Sequence, residues 1–174
     1  MPAKTVFVLA SALALSFGAA TASAAAITVP DALQAPASAQ LALEANAVGV
    51  QIYTCGANKS GKPEWNLKAP EATLYDAAGA KLARHYAGPT WEAVDGSKVV
   101  GKVKASATPD DGAIAWLLLD AKSASGSGTL GKVTLIQRLA TEAGKAPADG
   151  CDKAALGKEL SVPYKAIYRF YTAK

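Results

Sequence analysis

The residues best equipped for chemistry lie in one block, His85-Tyr86-Ala87-Gly88-Pro89-Thr90-Trp91-Glu92, which holds the only histidine of the chain. An imidazole and a carboxylate are the usual pair for moving a proton near neutral pH. The rings beside them are the usual walls of a site for a small molecule or a sugar. Gly88-Pro89 is a turn signal that folds His85 back toward Glu92. The same block also suits a plain structural corner, with Tyr86 and Trp91 packed and His85 hydrogen-bonded. His85, Tyr86, Trp91 and Glu92 are therefore candidate ligand-binding residues. Arg138 joins them, because Gln137-Arg138 follows the apolar run Val133–Ile136. It either places a polar pair in a cavity or pairs with an acid.

Hairpin arithmetic orients these groups. Asp95-Gly96 is a two-residue turn signal between Thr90–Val94 and Ser97–Ala107. A two-residue loop pairs Val94 with Ser97, so Glu92 faces Val99 and Trp91 faces Val100. Lys98, Lys102 and Lys104 then mark the wet face, while Val99 and Val103 mark the core. On this register Glu92 points inward and Trp91 outward, and a β-bulge would invert both. An inward carboxylate needs a partner or a proton. The lysine stripe is either a solvated strand face or an anionic-surface contact. Tyr164, Tyr168 and Tyr171 are packing residues or a sugar platform.

Catalytic templates fit poorly. The chain has no G-x-S-x-G elbow, no P-loop and no dinucleotide fingerprint. One histidine and two cysteines do not compose an ordinary zinc site, so neither a metal nor a cofactor is expected. Pairing Glu92 with Glu71 or Asp76 for glycosidic chemistry would be an arbitrary choice.

The leader and the cysteines set the compartment. Lys4, the apolar run Val6–Ala20 and Ala22-Ser23-Ala24 have the layout of a signal peptide over residues 1–24, too short for a membrane anchor. Cleavage after Ala24 leaves a single domain, residues 25–174, exported to the periplasm or the extracellular space. Net charge falls from +4 to +3 on removal of Lys4, too little to argue for nucleic acid. No later apolar stretch has the length of a membrane span. In an oxidising compartment Cys55 and Cys151 have one possible connectivity. A metal site or catalytic thiol is the competing reading, but neither cysteine has a neighbouring histidine or a CxxC spacing. Asn58-Lys59-Ser60 is a glycosylation sequon, relevant only where secreted proteins are glycosylated.

The elements that must hold these residues read as strands. Val50–Cys55, Trp65–Lys68, Thr73–Asp76, Lys81–Tyr86, Thr90–Val94, Ser97–Ala107, Ile114–Asp120, Lys132–Ala140 and Tyr164–Tyr171 are short, β-branched or aromatic runs separated by Gly, Pro and Asp-Gly punctuation. Ile114–Leu119 is apolar at both parities, which places it under cover on both faces. Only Asp152–Leu160 offers a helical turn or two, weakened by Gly157. Hydrophobic residues make up 51% of the chain, a figure inflated by alanine, and charged residues 18%. With three Trp and six Tyr among regular apolar runs, disorder is excluded. The expected fold is all-β: a single-domain antiparallel β-sandwich or barrel with one disulfide.

Taken as a set, Gly49–Cys55, Ala69–Asp76, His85–Glu92, Asp95-Gly96-Ser97, Trp116–Leu119, Ile136-Gln137-Arg138, Ala146-Pro147 before Cys151, and Val162-Pro163-Tyr164 resemble a family of exported bacterial and fungal proteins known only as a domain of unknown function. The resemblance spans nearly the whole chain after the leader, and the HYAGPTWE block is its most specific part. It implies a secreted β-rich domain with paired cysteines, and it brings no activity, cofactor or catalytic residue. The reading that follows is a non-catalytic exported domain binding a small molecule or a cell-surface glycan. The alternatives are a hydrolase using Glu92 or His85 as acid/base, and an envelope-structural or stress protein.

Overall fold

Alternation of small and large inward side chains is what lets this alanine-rich sequence close on itself. In the computed structural model, which describes residues 26–174, eight antiparallel strands form a closed barrel in sequential order. They are β1 Ala39–Ala57, β2 Pro63–Tyr75, β3 Lys81–Tyr86, β4 Thr90–Ala93, β5 Lys98–Ala107, β6 Trp116–Ser125, β7 Val133–Ala143 and β8 Glu159–Ala173. The leader assigned to residues 1–24 lies outside the described residues. Segment 152–160, the one stretch with helical signals, is turns followed by the start of β8.

Strands β1 and β8 close the ring. The small inward residues Ala45, Ala47 and Gly49 of β1 lie opposite Tyr168, Ala166 and Tyr164 of β8. Eight strands leave an interior that side chains can just fill. Here Trp91, Tyr168, Phe170, Leu74, Leu119 and Ile136 fill most of it.

The first part of β6, Trp116–Leu119, is covered on both faces, as its double parity predicts. Leu119 faces the interior, whereas Leu118 belongs to an outer cluster with Leu135 and Leu33. Leu33 comes from a 3-10 turn, Asp31–Leu33, in the segment that precedes β1. Gln137, on the outer face of β7, donates its amide to the Leu33 carbonyl at 2.6 Å and accepts from the Tyr171 hydroxyl at 2.7 Å. The polar residue beside Arg138 thus fastens the N-terminal segment to the outside of the barrel.

Each end is tied by a different device. At one end the Asp95 carboxylate accepts from the backbone N–H and hydroxyl of both Ser97 and Thr129, joining the β4–β5 turn to the β6–β7 loop. These bonds, those from Ser97 first, hold its carboxyl well below the usual carboxylate range. At the other end Cys55 and Cys151 form the disulfide, with Cα atoms 5.4 Å apart, joining β1 to the long β7–β8 loop.

Candidate functional site

The β3–β4 hairpin is shorter than its neighbours, and this opens the barrel wall. Pairing of β2 with β3 ends at Ala72↔His85, and pairing of β4 with β5 ends at Thr90↔Val100. Beyond those pairs, Leu67–Pro70 of β2 and Val103 of β5 continue past the turn Ala87-Gly88-Pro89 with no strand of the described residues between them. Leu67 and Val103 are 58% and 51% exposed, two large apolar side chains flanking the notch. The turn itself is anchored, because Gly101 N–H donates to the Pro89 carbonyl at 2.9 Å.

Behind the notch lies a cavity of about 290 Å³. Its deep wall is His85, Trp91 and Tyr168, and its remaining interior surface comes from Gln51, Leu117, Leu119 and Arg138. His85 and Trp91 occupy one cross-strand pair and stack with centroids 4.3 Å apart and planes 5° off parallel. Tyr168 meets both rings edge-on, at 5.3 Å and 5.4 Å. Gly101 makes room for this stack: a Cβ there would lie 3.0 Å from both the Trp91 ring and the Leu119 side chain.

The polar groups of the cavity are neutral or cationic. His85 Nδ1 lies 2.9 Å from the Thr90 carbonyl, which can only accept, so this nitrogen carries the proton and Nε2 keeps a free lone pair. Burial lowers the imidazole pKa to about 3, opposed by the Thr90 bond and reinforced by the charge of Arg138. The ring is neutral at physiological pH. Arg138 lies in the cavity and pairs with no acid among the described residues; its Nε and Nη2 both donate to the Ala115 carbonyl, at 3.0 and 2.8 Å. Two buried nitrogens, Gln51 Nε2 and Trp91 Nε1, have no partner among the described residues. A buried donor left unpaired is costly, and both belong to residues that line the cavity.

Glu92 and Tyr86 are elsewhere. The β4–β5 loop has three residues, Val94-Asp95-Gly96: Ala93 N–H donates to the Ser97 carbonyl, and Gly96, at φ 82°, donates to the Ala93 carbonyl. This is a type I turn closed by a left-handed glycine, and the extra residue shifts the register by one. Trp91 therefore pairs with Val99 and Glu92 with Lys98. The expected register, with Glu92 inward and Trp91 outward, is reversed. Glu92 lies on the outer face, where it accepts from Arg84 Nη2 at 2.7 Å and from the Tyr86 hydroxyl at 2.8 Å, with Lys98 Nζ at 3.6 Å. Arg84, then Tyr86, hold its carboxyl below the usual range. The Arg84 guanidinium also covers the Tyr86 ring at 5.0 Å. The HYAGPTWE block thus splits by parity: His85 and Trp91 face the cavity, and Tyr86 and Glu92 form an external ion-pair cluster.

Gln51, Leu117 and Leu119 line the cavity although no motif in the sequence singled them out for a site, and Tyr168, a packing residue or sugar platform by sequence, joins them there. Gln51 carried a usable signal, since it shares parity with Tyr53 and Cys55, both buried. Among the described residues no group of three or more His, Cys, Asp or Glu is placed to hold a metal, and no helix is long and apolar enough to cross a membrane. Residues 36–172 match the family model described as "Protein of unknown function (DUF3455)". No curated protein and no solved structure matches the chain.

Proposed function

Because the chain belongs to the DUF3455 family, whose description assigns no activity, we propose a function from its site alone: an exported, non-catalytic domain that takes one small, flat molecule into the barrel. The observation that carries this reading is the notch-opened cavity walled by His85, Trp91 and Tyr168. Its volume of about 290 Å³ is roughly twice that of the engineered ~150 Å³ cavity known to hold benzene. One ring with a substituent, or two fused rings, would fit. A glycan of several sugars would instead need an open aromatic groove, so the small molecule is the better-supported ligand. Export is supported by the leader pattern of residues 1–24 and by the disulfide.

The hydrolase alternative has less support. Glu92 is held ionised on the outer face, which suits neither a general acid nor a partnership with His85. His85 spends its proton on a backbone carbonyl, and no Asp or Glu among the described residues lines the cavity. An envelope-structural or stress role gives no reason for a notch-opened cavity walled by stacked rings.

Thermal unfolding with benzyl alcohol and indole as probes tests the reading. A ligand of the folded state at a hundred times its Kd adds about 2.7 kcal/mol of stability. The mature protein should be stabilised saturably by at least one probe, and a Val103→Tyr variant, which fills the notch from an exposed position, should lose the response. Absence of saturable stabilisation, or a response unchanged in Val103→Tyr, would contradict the proposal.

A further inference from the structure

The cavity has an unbalanced charge. Among its lining residues Arg138 and Lys68 are cationic, and none is acidic. Lys68 is already paired, through its ammonium, with Glu159. Arg138 is paired with no carboxylate among the described residues; the Ala115 carbonyl takes two of its five N–H groups, and the neutral Tyr168 hydroxyl is its other side-chain partner. A guanidinium at an apolar, partly enclosed wall attracts an anion more strongly than one in water, because the local dielectric is lower and the fork geometry matches a carboxylate.

Of the other polar groups, Trp91 and Gln51 can donate, while His85 Nε2 offers a lone pair. Trp91 Nε1 is a donor only, and it has no acceptor among the described residues. The Gln51 amide, also unpartnered at nitrogen, can turn either end toward a ligand by rotating its last torsion. The apolar part of the wall, Leu117 and Leu119 beside the stacked rings of His85 and Trp91, suits a planar ring.

We infer that the cavity selects an anion: a small aromatic or otherwise flat carboxylate, its ring against Trp91 and Leu119 and its carboxylate on Arg138. This rests on the small-molecule reading above and narrows it to a ligand class. Arg138 is the specificity-determining residue.

Calorimetric titration with benzoate and with benzyl alcohol, near-isosteric but differing in charge, separates the two levels. Native protein should bind benzoate at least tenfold more tightly than benzyl alcohol, with the gap shrinking as salt is raised. In Arg138→Gln the preference should fall to within twofold, whereas Arg138→Lys should keep part of it. Lys104→Gln, on the outer face, should keep all of it. Equal affinity for the two probes in the native protein would overturn the carboxylate inference and leave the small-molecule reading standing. A preference that survives Arg138→Gln would overturn the role of Arg138. Failure of both probes to bind would overturn both levels together. Because the native preference needs no variant, poor folding of an Arg138 variant leaves the inference testable.

Discussion

An imidazole stripped of its proton by burial links the stability of the barrel to pH. His85 has a folded pKa of about 3 against an ordinary 6.5. Below 6.5 the unfolded chain takes up a proton that the folded chain does not. Stability from this residue is therefore complete above about pH 6.5 and falls as pH drops toward 3, with a limiting slope of about 1.4 kcal/mol per pH unit. Glu92 and Asp95, whose pKa values are lowered, act in the same direction but only at and below the ordinary carboxylate range. The interval from pH 6.5 to 5 thus isolates the histidine. Urea midpoints should fall across it for the native protein and stay level for His85→Gln; parallel curves would show that the ring is not buried neutral. Glu92→Gln makes the contrast. It removes an external ion pair, so it should lower stability slightly, less so in high salt, and leave probe binding as it was. Loss of binding in that variant would move the site to the outer face.

At the scale of elements, one loop residue decided the geometry. The three-residue Val94-Asp95-Gly96 loop exchanges the faces of Trp91 and Glu92 relative to a two-residue turn, because side-chain parity flips with each residue of slip. The strands themselves were legible from their alternation, as was the covered position of Trp116–Leu119 in β6, since Leu118 and Leu119 each find an apolar partner. The loop length was not legible: Asp-Gly serves both turn types, and the bonds from Ser97 and Thr129 to Asp95 that favour the longer loop involve a residue thirty-four positions away. The cavity was legible only in part. His85, Trp91 and Arg138 announce themselves by type, whereas Tyr168 and Leu119 are ordinary strand residues until the ring closes. Gly101 carries a prediction at this scale. Gly101→Ala places a methyl 3.0 Å from the Trp91 ring, so it should destabilise by about 1 to 3 kcal/mol through overpacking and weaken probe binding by displacing the stack. Native stability and binding together would show that β5 gives way freely.

The whole molecule is a closed sheet with a covalent tie near one end and an N-terminal segment fastened outside. The disulfide closes a separation of 96 residues, for which the chain-entropy argument gives about 4 to 5 kcal/mol. The Cys55→Ser, Cys151→Ser double variant should lose stability of that order, and unchanged stability would mean that the unfolded state is compact without the bond. If the chain is exported as proposed, mass spectrometry of the secreted form should begin at Ala25, and an intact Met1 would contradict that. The central claim is that a small molecule enters through the notch and rests against Trp91. Its most direct test is the side-chain indole N–H signals in a ¹⁵N-labelled sample titrated with benzoate. Three signals are expected, because the chain has three tryptophans. Trp65 donates to the Asp149 carbonyl, and Trp116 packs in the outer cluster around Leu33. The Trp91 signal alone should move, saturably, and it should stay still in Val103→Tyr. No saturable movement of Trp91, or equal movement of all three signals, would contradict the claim.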